Sequence, residues 1–130
     1  MTTPNSALYD ELVLTVQRCI ERAEDRLQKF ALDLQESAFS AMEWSHAAFE
    51  AATHAAVYRQ LMRELRAEQP ETETETESDR VSRLTRRCQR EVNQRVRSPV
   101  RSTSPTAVLA NQELVAAWGS ALQLLMESGL

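Results

Sequence analysis

Apolar residues recur along the first half of the chain in steps that alternate strictly between four and three: Tyr9, Val13, Val16, Ile20, Ala23, Leu27, Phe30, Leu34, Ser37, Ala41, Trp44, Ala48, Ala51, Ala55, Tyr58, Met62 and Leu65. Ser37 is the single polar member. Seven residues per two turns, kept in phase this long, is the spacing of a left-handed coiled-coil seam; an ordinary amphipathic helix drifts at 3.6. Residues 6–68 contain neither Gly nor Pro. The pattern therefore predicts one unbroken helix within residues 1–69, about 90 Å long at 1.5 Å per residue. Pro4, Asn5 and Ser6, followed by Asp10 and Glu11, mark its start; Arg59, Arg63, Arg66 and then Pro70 mark its end. A hairpin broken near Ser37–Ser40 is the alternative, and the unbroken phase of the stripe speaks against it.

The stripe changes character along its length. From Tyr9 to Leu34 it is narrow and flanked by charges, which predicts a protruding two-helix arm. From Ala38 to Tyr58 fourteen of twenty-one residues are apolar and eight are Ala, with Phe39, Met42, Phe49, Ala52 and Ala56 adding a second apolar face. A helix apolar over most of its circumference is surrounded by other helices, so this middle reads as the interior of a bundle.

Residues 70–79, Pro-Glu-Thr-Glu-Thr-Glu-Thr-Glu-Ser-Asp, hold no apolar side chain and read as an acidic flexible linker. A second helix is expected over 80–97, with Ser78 or Asp79 as N-cap. Val81, Leu84, Cys88, Val92 and Val96 share one face of it, and Arg80, Arg83, Arg86, Arg87, Arg90 and Arg97 the opposite one. Two Ser-Pro steps break the chain over 98–105. A third helix over 105–127 starts at Pro105 behind Ser104; it is broadly apolar, carries only Glu113 and Glu127 as charges, and holds Gly119 beside Trp118, where a close helix contact is expected. Residues 80–130 are thus expected to fold back on the first helix as elements of a single domain.

Helices of about 27 and 35 Å cannot cover a seam of about 90 Å. An uncovered apolar stripe is rarely tolerated by a monomer, so the pattern predicts a homo-oligomer, a two-fold dimer first. Its seam would be built from Val13, Val16, Ile20, Leu27, Phe30, Leu34, Ala41, Trp44, Ala48, Ala51, Ala55, Tyr58 and Met62. The expected fold is all-α: one very long coiled-coil helix and two shorter ones in an oligomeric bundle.

Composition narrows the function. With 130 residues the chain has the size of one domain, and two glycines leave no room for a Gly-rich phosphate loop. No apolar run is long enough to span a membrane, the first ten residues lack the pattern of a secretory signal, and two well-separated cysteines suit a reducing compartment, so the cytoplasm is the expected location. The net charge of −4 is unevenly spread: residues 1–78 carry 7 basic and 15 acidic side chains, residues 79–101 carry 8 Arg and 2 acids. No nucleophile elbow, P-loop or zinc-protease motif occurs. The sequence therefore reads as a non-enzymatic scaffold or adaptor that needs no cofactor and binds itself and another protein. Two alternatives stand beside this. The Arg face offers an electrostatic footprint for nucleic acid, though without aromatic side chains for stacking. Glu43, His46, Glu50 and His54 share one face of the first helix, and Glu43-x-x-His46 has the spacing of ferritin-like metal-binding bundles; the plainer reading of that set is a polar stripe with helical i,i+4 contacts.

Overall fold

The apolar stripe is used, but the chain folds it against itself. A computed structural model describes residues 4–36, 38–67, 75–97 and 105–130, and their side chains apart from residues 4–5, 33–36, 38–45 and 105–106. The described residues form four helices and no strand: α1 (Pro4–Glu36), α2 (Ala38–Arg66), α3 (Glu77–Arg97) and α4 (Pro105–Glu127). The single long helix expected over 1–69 is instead described as two helices, α1 and α2. They run antiparallel: Tyr9 reaches the carbonyl of Leu65, and Arg59 pairs with Glu24.

This arrangement gives the described part of the stripe a packing partner within the same chain. Val16, Ile20, Phe30, Ala51, Ala55, Tyr58 and Met62 are buried within one chain, and Val13, Leu27 and Ala48 are partly buried. Leu34, Ala41 and Trp44 lie outside the described side chains, as does Ser37. Folding back buries both halves of the stripe, at about 1.5–3 kcal/mol per large apolar side chain. It requires one loop closure, whereas a second chain would bring an association cost of about 4–15 kcal/mol. The inference that an uncovered stripe demands a dimer accordingly loses its premise, and the protruding N-terminal arm is instead one half of an antiparallel pair.

α3 begins three residues earlier than its charge pattern suggests. Thr76, not Ser78 or Asp79, is the N-cap. Its Oγ1 accepts from the Asp79 amide at 3.1 Å, and the Asp79 carboxylate accepts from the Thr76 amide at 3.3 Å. This is a reciprocal capping box, and the first helical bond, Arg80 N–H to Thr76 C=O at 2.9 Å, follows it. The last residues of the acidic segment thus belong to the folded unit; residues 70–74 of the expected linker lie outside the described residues. α4 keeps the expected bounds.

Cross-helix contacts fix the directions. Arg87 of α3 pairs with Glu64 of α2, and the Asn111 side chain of α4 donates to the Arg95 carbonyl of α3. On α4, Glu113 meets His46, and Leu124 lines a hollow with Leu8 and Leu12 of α1. α3 therefore runs antiparallel to both neighbours, and α2 and α4 run parallel. The core joins Leu12, Val16, Val57, Leu61 and Leu65 to Val81, Leu84 and Cys88 and to Ala117, Trp118, Ala121 and Leu125. Gly119 does not mark the close helix approach expected of it, since no neighbouring atom lies within 4 Å of where its Cβ would stand.

Candidate functional site

Three surfaces inherit the residues singled out by the sequence. The first is the outer side of α2, whose second apolar face is expected from its composition to lie inside a bundle. Phe49, 37% exposed, and the exposed Ala52 and Ala56 instead stand at the surface; Phe39 and Met42 lie outside the described side chains. Helical spacing continues this face into an open groove of about 590 Å³ between α1 and α2, lined by Gln17, Ile20, Ala56, Arg59, Met62 and Arg63. Ile20 and Met62 are buried and form its floor. Arg59, held from across the pair by Glu24 (Nε to Oε1 3.2 Å), and Arg63 form its rim. No sequence signal identifies this groove, because it exists only once α1 and α2 lie side by side.

The second surface is the Arg face of α3, which the structure divides. Arg80 is 9% exposed. It donates from Nη1 to the Leu65 carbonyl at 3.0 Å and from Nε to Glu75 at 3.2 Å, and Nη1 stands 3.4 Å from the Tyr9 hydroxyl. Leu65 is in the last turn of α2, where carbonyls have no partner within the helix, so Tyr9 and Arg80 together close that helix end. Arg83 donates to both Glu75 oxygens, at 2.9 and 3.4 Å, and Arg87 donates to Glu64 at 2.9 Å. The Arg83 guanidinium, with that of Arg80, holds the Glu75 carboxyl below its ordinary range, and burial pushes the Tyr9 hydroxyl above its own against the pull of Arg80. Three of the six expected anion-binding arginines are therefore structural. Arg86 and Arg90 remain exposed around a shallow hollow with Arg83 and Gln89, and Arg97 is exposed at the helix end.

The third is the His/Glu set of α2. His46 and Glu50 are brought together with Glu113 of α4, one ligand atom from each lying within 4.8 Å of the other two. His46 Nε2 stands 3.0 Å from Glu113 Oε1. Glu113 is buried, at 9% exposure, while the imidazole is open to solvent. His54 is separate: its Nδ1 donates to the Glu50 carbonyl at 2.9 Å and its ring lies against Tyr58. The Glu43 side chain lies outside the described residues. Spacing along the first helix alone leaves Glu113 out of the set; a lone carboxylate midway along an otherwise apolar helix is the signal for it, since a buried charge needs a partner.

Burial pushes the Cys88 thiol up to about 11, and it raises Cys19 as well; a thiol held protonated is a poor nucleophile. No described helix is long and apolar enough to cross a membrane. No protein-family model, curated protein or solved structure matches this chain.

Proposed function

We propose that this is a non-enzymatic helical assembly protein of the cytoplasm, working through docking on the outer face of α2, with a second copy of the chain as its first partner. The observation that carries this is the exposed apolar strip of Phe49, Ala52 and Ala56, continuous with the groove over Ile20 and Met62. Small residues let a second helix approach closely, and a helix laid in an apolar groove is a recurrent mode of recognition. Two free cysteines, one fully buried, suit a reducing compartment. The test is solution mass by light scattering over a range of concentrations, for wild type and Ala52→Glu. A wild-type dimer that Ala52→Glu converts to a monomer of unchanged helicity is the expected result. A wild type that stays monomeric throughout refutes self-docking.

A second reading has its own observation: Arg86 and Arg90 stay exposed while their neighbours are neutralised by Glu64 and Glu75. Nucleic acid bound there would show a mobility shift that weakens with salt and disappears in the variant carrying Arg86→Glu and Arg90→Glu. A shift that survives both substitutions, or none at low salt, removes this reading.

A further inference from the structure

We infer that His46, Glu50 and Glu113 form a binding site for one divalent transition-metal ion, which clamps α2 to α4. The donor set comes first. One imidazole nitrogen and two carboxylates suit Zn²⁺, Mn²⁺ or Fe²⁺, whereas Ca²⁺ and Mg²⁺ favour oxygen ligands alone. The spacing comes second. Ligands about 2.1 Å from an ion stand about 3 Å apart at right angles and about 3.4 Å apart in a tetrahedron, and the 3.0 Å between His46 Nε2 and Glu113 Oε1 lies close to this spacing. The Glu50 oxygen falls within 4.8 Å of the others.

Charge comes third. Two carboxylates converge on one imidazole, and among the described residues neither has an arginine or lysine partner. The arginines on α2 and α3 that make ion pairs do so with Glu24, Glu64, Glu75 and Glu91. Glu113 is buried on a helix that offers no basic residue. A protonated His46 would offset only one of the two negative charges; a divalent cation offsets both. Finally, the exposed face of His46 supplies an entry path, and three protein ligands leave positions for water. This is independent of docking on the outer α2 face: it requires only that α2 and α4 lie parallel.

The test uses the full chain, stripped of metal, titrated with Zn²⁺ by calorimetry. One equivalent per chain is expected, with affinity lowered at least about tenfold by His46→Ala and by Glu113→Gln, and unchanged in His54→Ala. Because Glu113→Gln could disturb the fold, Mn²⁺ is added to the wild type while histidine ring signals are followed by NMR; His46 should broaden more steeply than His54. Absence of saturable Zn²⁺ binding, binding that both variants retain in full, or broadening that begins at His54 would each overturn the site and leave a simple His–Glu hydrogen bond.

Discussion

Replacing Tyr9 by Phe and Arg80 by Met, singly and together, probes the antiparallel pairing at the point where it is most specific. Tyr9 and Leu65 are 56 residues apart in sequence; on one straight helix they would stand about 84 Å apart. In the folded chain the Leu65 carbonyl is buried and has two donors, the Tyr9 hydroxyl and Arg80 Nη1. Tyr9→Phe removes one, and the carbonyl keeps the other, so the cost should be about 1 kcal/mol, the net worth of one neutral hydrogen bond. Arg80→Met keeps the apolar stem and removes the charged donor. Glu75 retains Arg83 and Leu65 retains Tyr9, which places the cost at about 1.5–3 kcal/mol. The double variant leaves the carbonyl buried with no donor at all, which adds a desolvation penalty of about 1–3 kcal/mol that neither single variant incurs. The double-mutant cycle should therefore be non-additive by at least about 1 kcal/mol, against the roughly 0.3–0.5 kcal/mol scatter of independent sites. Urea unfolding followed by far-UV circular dichroism measures all four proteins. Additive costs, or a Tyr9→Phe protein as stable as wild type, would mean that α1 and α2 do not meet this way.

Three further substitutions have definite expectations. Gly119→Ala should stabilise by about 1 kcal/mol in the same unfolding assay, since Gly119 is helical and the added methyl meets open space; a loss of stability would mean that another helix crowds this position. Glu75 has its carboxyl depressed below the ordinary 4.5, first by the hydrogen bond from Arg83. Its stabilisation is accordingly present above about pH 4.5 and lost as pH falls through the folded value, so Glu75→Gln should be the less stable protein near neutrality and converge on wild type in acid. Melting midpoints against pH check this, and parallel curves would refute it. Ala51→Glu should unfold the chain rather than merely dissociate an oligomer, because Ala51 is only 1% exposed and a buried unpaired carboxylate is costly; a well-folded variant with native helicity would contradict its place in the core.

The all-helical class and the bounds of α4 are legible in the residues, as is the burial of the stripe where its side chains are described; what the stripe packs against is not. A repeat of 3.5 says that a stripe faces another helix and is silent on whether that helix belongs to the same chain. Residues 6–68 hold no glycine or proline, so composition gives no signal that two antiparallel helices replace one. Charge pattern groups Arg80 with the exposed arginines, although on a helical wheel it lies only about 40° from Leu84; its burial depends on the end of α2 arriving beside it, which is a tertiary fact. The metal-ligand set is half legible for the same reason. His46 and Glu50 share a face by spacing alone, whereas Glu113 joins them only because α4 runs parallel to α2.

The alanines of α2 do not all mean the same thing. Ala51 and Ala55 are fully buried, where a small side chain lets a neighbouring helix come close. Ala52 and Ala56 are exposed, and an exposed alanine in a helix needs no partner to explain it, since Ala is the best helix former and single apolar residues at the surface are ordinary. The weight of the docking proposal therefore rests on Phe49, whose ring is partly exposed, and on the open groove between α1 and α2 with arginine at its rim. A partner that used only the alanines would gain little; because Ile20 and Met62 are already buried, the gain from covering the groove comes from Phe49 and from the apolar stems of Arg59 and Arg63. A docked helix should therefore lie along both, which places its contacts with Phe49 at one end of the interface, those with Arg59 and Arg63 at the other, and those with Ala52 and Ala56 between them.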